Sequence, residues 1–316
     1  DRMSMATAAL PRRDDPDTWY PAGVAGVVAR WLTLPDGERV RVVEMDSAPG
    51  VPASTDVLLL HGWGCNAFHF RRLLPALAQR GVRGIALDLR GHGLSHKPSE
   101  LAAYTSSAVA DFAQRVLDAL GLEQAGLVGH SLGGAVALDV ALNFPSRVRW
   151  LALLNPVGVA RMPYAPLLAQ FPGRYAERVP AAVSRVVGWA ALHLAYGGLA
   201  RPDPGDLEQY LYPTLTPGGR FGMMAYARAF SWEPRTADAL ERIACPMHVL
   251  FGERDRVVRR GEAMERLRVV RHLRTDVIAR AGHVLAEEAA DRVAEAVAAL
   301  SHAPVLSKAG SRSPIA

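Results

Sequence analysis

Apolar residues follow two rhythms along this chain. Val57-Leu58-Leu59-Leu60, Gly84-Ile85-Ala86-Leu87, Leu127-Val128 between glycines, and Met247-His248-Val249-Leu250-Phe251 are short continuous apolar runs. That is the pattern of strands covered on both faces. Residues 149–154 and a segment within 269–277 predict two more. Between these runs the spacing turns helical. Phe70, Leu73, Leu74 and Leu77 predict a helix over 68–79 that closes at Gly81. Val109, Phe112, Val116 and Leu120 predict one over 105–120, a third follows over 132–143, and a last amphipathic helix covers 286–300. Upstream, Trp31-Leu32-Thr33-Leu34 and Val40-Arg41-Val42-Val43 flank Pro35-Asp36-Gly37-Glu38, which predicts a β-hairpin.

Strands alternating with helices predict an α/β fold, a mostly parallel β-sheet flanked by helices. The rhythm breaks after Asn155. Residues 156–236 are punctuated by proline and glycine and rich in aromatic residues, leucine and methionine, with helices expected over 181–196 and 220–230. A structureless loop of that length is improbable in a compact domain, so the stretch is expected to be an inserted helical cap. The division is then core over 1–155, cap over 156–236, core again over 237–302, and a polar tail over 303–316 expected to be disordered. The first twenty or so residues are polar and expected to fray.

Composition adds exclusions. Half the residues are hydrophobic and 21% are charged, as in ordinary globular proteins. The net charge of +5 is scattered arginine without a basic block or nucleic-acid motif, so no nucleic-acid partner is expected. No apolar run is long enough to span a bilayer, and the start, Asp1-Arg2-Met3-Ser4-Met5, has no signal-type apolar region behind it, so a cytoplasmic location is expected. Cys65 and Cys245 are far apart in sequence and are expected to be reduced and buried.

The chemistry gathers at Gly129-His130-Ser131-Leu132-Gly133, where a predicted strand runs straight into a helix. A serine on so tight a turn takes a strained backbone, glycines leave room for it, and the hydroxyl is exposed beside N–H groups of a helix start. The motif alone recurs by chance. Ser131 needs a base and the base an orienting acid. Of ten histidines, His283 follows a predicted strand and Gly282 in a short late loop. Asp255 is the best acid, after the strand 247–251. Glu253 sits too close to that strand and Asp276 lies inside one; Asn155 occupies another suitable place but has no charge.

Five motifs carry a resemblance: His61-Gly62-Trp63-Gly64, Asp88 to Ser95, the serine turn, Gly252-Glu253-Arg254-Asp255, and Gly282-His283. In this order, each after a strand, they resemble a capped serine enzyme of the α/β-hydrolase fold family. The resemblance implies an oxyanion hole from the backbone N–H groups of Trp63 and Leu132, with no metal or organic cofactor. It implies that His61 is structural and that His92, Ser95 and His96 brace the loop after Asp88. Epoxide hydrolases and haloalkane dehalogenases of the family place an aspartate where this chain has Ser131.

The expected activity is hydrolysis of a small to medium, largely apolar ester through an acyl-enzyme. His130, Met162, Trp189 and Met223 are candidate pocket residues, although a cap needs a core of its own from such side chains. A carbon–carbon bond hydrolase of the meta-cleavage type and a small-molecule receptor on the same fold are the alternatives. The expected partner is a small apolar ester or acyl compound; the oligomeric state is left open.

Overall fold

The computed structural model describes residues 20–303 apart from 22, 52–54, 163–169, 171–172 and 204. The expected fraying at the start and the expected disorder of the tail fall almost wholly outside these residues. Eight strands form one sheet: β1 (Val27–Thr33), β2 (Arg39–Met45), β3 (Val57–Leu60), β4 (Gly84–Leu87), β5 (Ala125–His130), β6 (Val148–Leu154), β7 (Met247–Gly252) and β8 (Leu273–Ile278). Their order is β1-β2-β4-β3-β5-β6-β7-β8. β1 and β2 form the expected hairpin, with Thr33 opposite Arg39, and Gly37 takes the positive φ of the turn. β2 pairs antiparallel with β4, and every pairing from β4 to β8 is parallel.

Alternation along the strands fills two cores. Leu58, Leu60, Ile85, Leu87 and Leu127 face one side, packed by helices α2 (Ser106–Ala119) and α3 (Leu132–Asn143). Val57, Leu59, Ala86, Val128 and Trp150 face the other, packed by α1 (Leu73–Ala78) and the final helix Ala290–His302. α3 lies between the sheet and α2, and residues from Leu132 to Ala141 along it are buried, Asp139 among them.

Some boundaries differ from the sequence pattern. The stripe over 68–79 divides into a 3-10 turn, Ala67–Phe70, capped by the Asn66 side chain, and α1. The final helix likewise breaks at Ala289 into Leu285–Glu288 and Ala290–His302. Between β6 and β7 lie Ala181–Ala195 and Gly219–Ala229, close to expectation, and a third helix, Asp206–Leu215, that the sequence conceals. Pro213 falls in its last turn, where proline ordinarily argues against a helix. The short helices Ala237–Glu241 and Arg260–Leu267 were also not legible as stripes.

The two ends of the insertion meet. The Arg235 N–H donates to the Gly158 carbonyl at 2.8 Å, and the Arg235 guanidinium grips Asp139 of α3 through two hydrogen bonds of 2.7 and 2.5 Å.

β5 pairs beside β6 with Trp150 opposite Gly126, where a Cβ would stand 2.1 Å from the indole. The indole is fully buried and has nowhere to move. Gly126→Ala is expected to cost about 1–3 kcal/mol of overpacking strain. The check is a lower urea midpoint at unchanged slope; an unaltered midpoint would mean that the two strands separate freely there.

Candidate active site

β3 and β5 are neighbours in the sheet, but the chain leaves β3 for β4 on one side before returning to β5 on the other. Loops leaving such a switch point diverge and open a crevice at the carboxyl ends of the strands. The 61–64 loop follows β3, and Ser131 follows β5.

Ser131 has φ 51° and ψ −114°, a strained conformation for a residue with a side chain. Its neighbours explain why the turn closes. A Cβ on Gly129 would lie 2.4 Å from the Gly133 carbonyl oxygen, and one on Gly133 would lie 2.0 Å from that of Leu60. Hydrogen bonds hold the turn on β6: the Ser131 N–H donates to Leu154 O at 3.0 Å, and Ser131 O accepts from Val157 N–H at 3.0 Å. Gly62 backs the serine so closely that a Cβ there would sit 3.2 Å from Ser131 Cβ. Among the described residues neither the Trp63 nor the Leu132 amide N–H has a protein acceptor. The Trp63 indole N–H donates to the Met223 carbonyl at 2.7 Å, which ties the loop to the inserted helix Gly219–Ala229.

The His283 loop approaches from the other side. His283 Nδ1 lies 3.1 and 3.0 Å from the two carboxylate oxygens of Asp255. Asp255 Oδ1 also accepts the Val257 N–H at 2.7 Å, so the carboxylate is fixed before it meets the ring. A carboxylate can only accept at neutral pH, so the proton is on Nδ1 and the lone pair on Nε2. The backbone of this loop is held at several points. The His283 N–H donates to Ala195 O at 2.6 Å, and the Gly282 N–H to Glu288 Oε2 at 2.6 Å.

Two buried side chains join this loop to the strand ends. Asn155, with φ 43°, donates from Nδ2 to the carbonyls of Gly282 and His283 at 3.0 and 2.9 Å and accepts the Gly252 N–H at 2.9 Å. His130 hydrogen-bonds the His283 carbonyl through Nε2 at 2.9 Å, and its ring centroid lies 4.8 Å from that of His283. The residue before the serine thus touches the histidine, and Ser131, Asp255 and His283 each follow the carboxyl end of a strand, β5, β7 and β8 respectively.

His130, expected from the sequence either to line a pocket or to serve as buried support, is 2% exposed and hydrogen-bonds the His283 carbonyl. Met162 is half-buried against the core, and 163–169 beyond it lie outside the described residues. Trp189 is half-buried and stacks edge-on with His193 of its own helix at 4.0 Å. Met223 is brought beside the 61–64 loop, its sulfur 3.7 Å from where a Cβ on Gly64 would be.

The remaining motif residues form a brace. Asp88 accepts from the N–H groups of Ala67 and Leu94 at 2.7 and 2.9 Å and faces Arg41 at 3.3 Å. Ser95 Oγ donates to Asp88 O, and His92 Nε2 accepts the Gly64 N–H at 3.2 Å. His61 donates from Nδ1 to Gly62 O and accepts the Leu89 N–H at Nε2. His96 is more than half exposed and takes part through its backbone. Asp276, the rival acid, pairs with His248 at 2.8 Å along the sheet edge. Both cysteines are free, and burial pushes each thiol up to about 12.

Cys65, His69 and His130 bring ligand-type atoms within 4.8 Å of one another. The two imidazoles stack with planes 20° apart and centroids at 4.3 Å.

The family model for the α/β hydrolase fold matches residues 56–290, and the chain belongs to that family. A stretch of 125 residues is 38% identical to bifunctional epoxide hydrolase 2 of Sus scrofa, covering 40% of this chain and 21% of that protein. Over 118 residues it is 41% identical to 2-hydroxymuconate semialdehyde hydrolase of Pseudomonas sp. strain CF600, covering 36% and 40%. The chain thus spans well under half the length of these curated relatives. Among solved structures, 2-hydroxy-6-oxo-6-phenylhexa-2,4-dienoate hydrolase from Rhodococcus sp. strain RHA1 superposes with a TM-score of 0.69 at 23% identity, over 88% of this chain and all of that one. No helix among the described residues is long and apolar enough to cross a membrane.

Burial holds the imidazole of His61 down at about 4, and burial lowers His92 and His130 in the same direction. In the unfolded chain these rings take up protons below roughly pH 6.5. Over that window the unfolded state binds more protons, so stability is complete above it and is lost as pH falls. Urea midpoints are expected to drop between pH 7 and 5, before the carboxylates titrate. A flat profile would show that these rings are not held neutral.

Proposed function

We propose that the protein is a serine hydrolase that cleaves esters of small to medium, largely apolar acids or alcohols through an acyl-enzyme. The observation that carries this reading is the His283–Asp255 pair, held on a strand-end loop as the strained Ser131 is. In this mechanism His283 Nε2 takes the Ser131 proton as Oγ attacks the carbonyl carbon. Asp255 holds the imidazolium that results, and the tetrahedral oxyanion accepts from the N–H groups of Trp63 and Leu132. His283 then returns the proton to the leaving alcohol. Water, deprotonated by the same ring, attacks the acyl carbon and releases Ser131.

The nucleophile separates this chain from its epoxide-hydrolase relatives in chemical terms. A carboxylate that opens an epoxide forms an ester, which water can cleave. Serine opening the same ring would form an ether, which this machinery cannot hydrolyse. An acyl substrate suits Ser131 in a way an epoxide does not. The inserted helices Ala181–Ala195, Asp206–Leu215 and Gly219–Ala229 supply the apolar cover in this proposal, with Met162, Trp189 and Met223 at its inner wall.

The stretch shared with 2-hydroxymuconate semialdehyde hydrolase favours a second reading, hydrolysis of a carbon–carbon bond beside a ketone by the same three residues.

A fluorophosphonate probe should label one residue per chain, and Ser131→Ala should abolish labelling and turnover. Asp255→Asn should lower kcat by about 10³–10⁴ by releasing the wrong imidazole tautomer. p-Nitrophenyl esters of rising chain length and a vinylogous diketone should be compared directly. Faster turnover of the diketone than of every ester would replace the ester reading with the second; no labelling and no turnover of either would exclude both.

A further inference from the structure

Four residues beyond His283, on the short helix Leu285–Glu288, stands Glu287, a carboxylate only 2% exposed. Nothing in the ester mechanism uses it. Its partners come from both halves of the molecule. From the core, Arg71 reaches Oε1 at 2.9 Å and Oε2 at 3.0 Å, and His69 Nδ1 stands 3.5 Å from Oε1. From the insertion, the hydroxyls of Tyr196 and Tyr210 each donate to it, one to each oxygen. Arg71 also binds Asp206, at the start of the helix that carries Tyr210, at 2.8 Å. The neighbouring Glu288 continues the clasp, with Oε1 accepting the N–H groups of Gly197, Gly198 and Leu199 and Oε2 that of Gly282.

The opposite face of this cluster reaches the base. His69 stacks on His130, and His130 lies tilted at 56° against the His283 ring and hydrogen-bonds the His283 carbonyl. A buried ion pair is a weak source of net stability because desolvation offsets its attraction, whereas its directionality fixes one arrangement of its partners. Two carboxylate oxygens meeting a guanidinium and two phenols from separate elements accept few alternative geometries.

We propose that Glu287 is a positioning residue that sets the register of the inserted helices over His283, and through that register selects the acyl-chain length admitted. The claim about chain length rests on the ester-hydrolase reading above; the claim about register does not.

Two variants test it: Glu287→Gln, and the milder Tyr196→Phe/Tyr210→Phe, which leaves the Arg71 pair intact. Labelling by a small fluorophosphonate should remain one per chain in both and serves to count active sites. Per active site, kcat/KM for p-nitrophenyl octanoate should fall about tenfold, carried in KM, while the acetate stays within about twofold. An equal fall for both esters, or none, overturns chain-length selection. Hydrogen exchange needs no substrate. Amides of Ala181–Ala195 and Asp206–Leu215 should exchange faster in both variants, with β3 to β6 unchanged. Unchanged protection of those helices overturns the register claim, even if the wild-type protein takes neither probe nor ester.

Discussion

The close approach of three backbones at the end of β5 governs the rest of the structure. Gly129 and Gly133 let the turn at Ser131 fold against the carbonyl of Leu60, and no side chain fits at either position. This contact presses the first turn of α3 onto β3. It thereby sets the distance between the 61–64 loop and the serine, and so whether the amides of Trp63 and Leu132 can face the same point. The hydrogen bonds from Ser131 to Leu154 and Val157 extend the constraint to β6, and Asn155 carries it onward to Gly252 and the His283 loop.

Around that contact the site is supported by buried, hydrogen-bonded side chains. His61 is held in one tautomer by Gly62 and Leu89, and Asp88 is occupied by two amides and Arg41. Burial keeps several of these imidazoles uncharged. Rings that stay neutral contribute shape and hydrogen bonds without a charge that would compete with the imidazolium expected at His283. A second cluster of charge lies at Glu287, Arg71 and Asp206, where insertion meets core.

The sheet and the three residues Ser131, Asp255 and His283 were legible because their signals are local. Continuous apolar runs mark strands buried on both faces, and each candidate residue follows such a run within a few positions. The helix Asp206–Leu215 was hidden because its one proline, Pro213, falls in its last turn, and a pattern of punctuation does not distinguish that from a loop. The roles of Asn155 and Glu287 were hidden for another reason. Each depends on partners far away in sequence, such as Gly282 for Asn155 and Arg71 for Glu287, and no spacing rule connects them. The pair Glu287-Glu288 reads locally as acidic residues in a helical first turn, an ordinary place for them.

The junction between Gly158 and Arg235 carries an implication for how such a molecule diversifies. The insertion leaves and re-enters the core through neighbouring backbone, clamped by Asp139 of α3, so everything between is an excursion with its ends already joined. Closing a longer or shorter excursion between fixed ends changes the free energy only logarithmically with length. Segments of different length can therefore close between these ends while the sheet, the serine turn and the histidine loop keep their geometry. The two tyrosines that reach Glu287 are then what a newly acquired cover would have to reinvent.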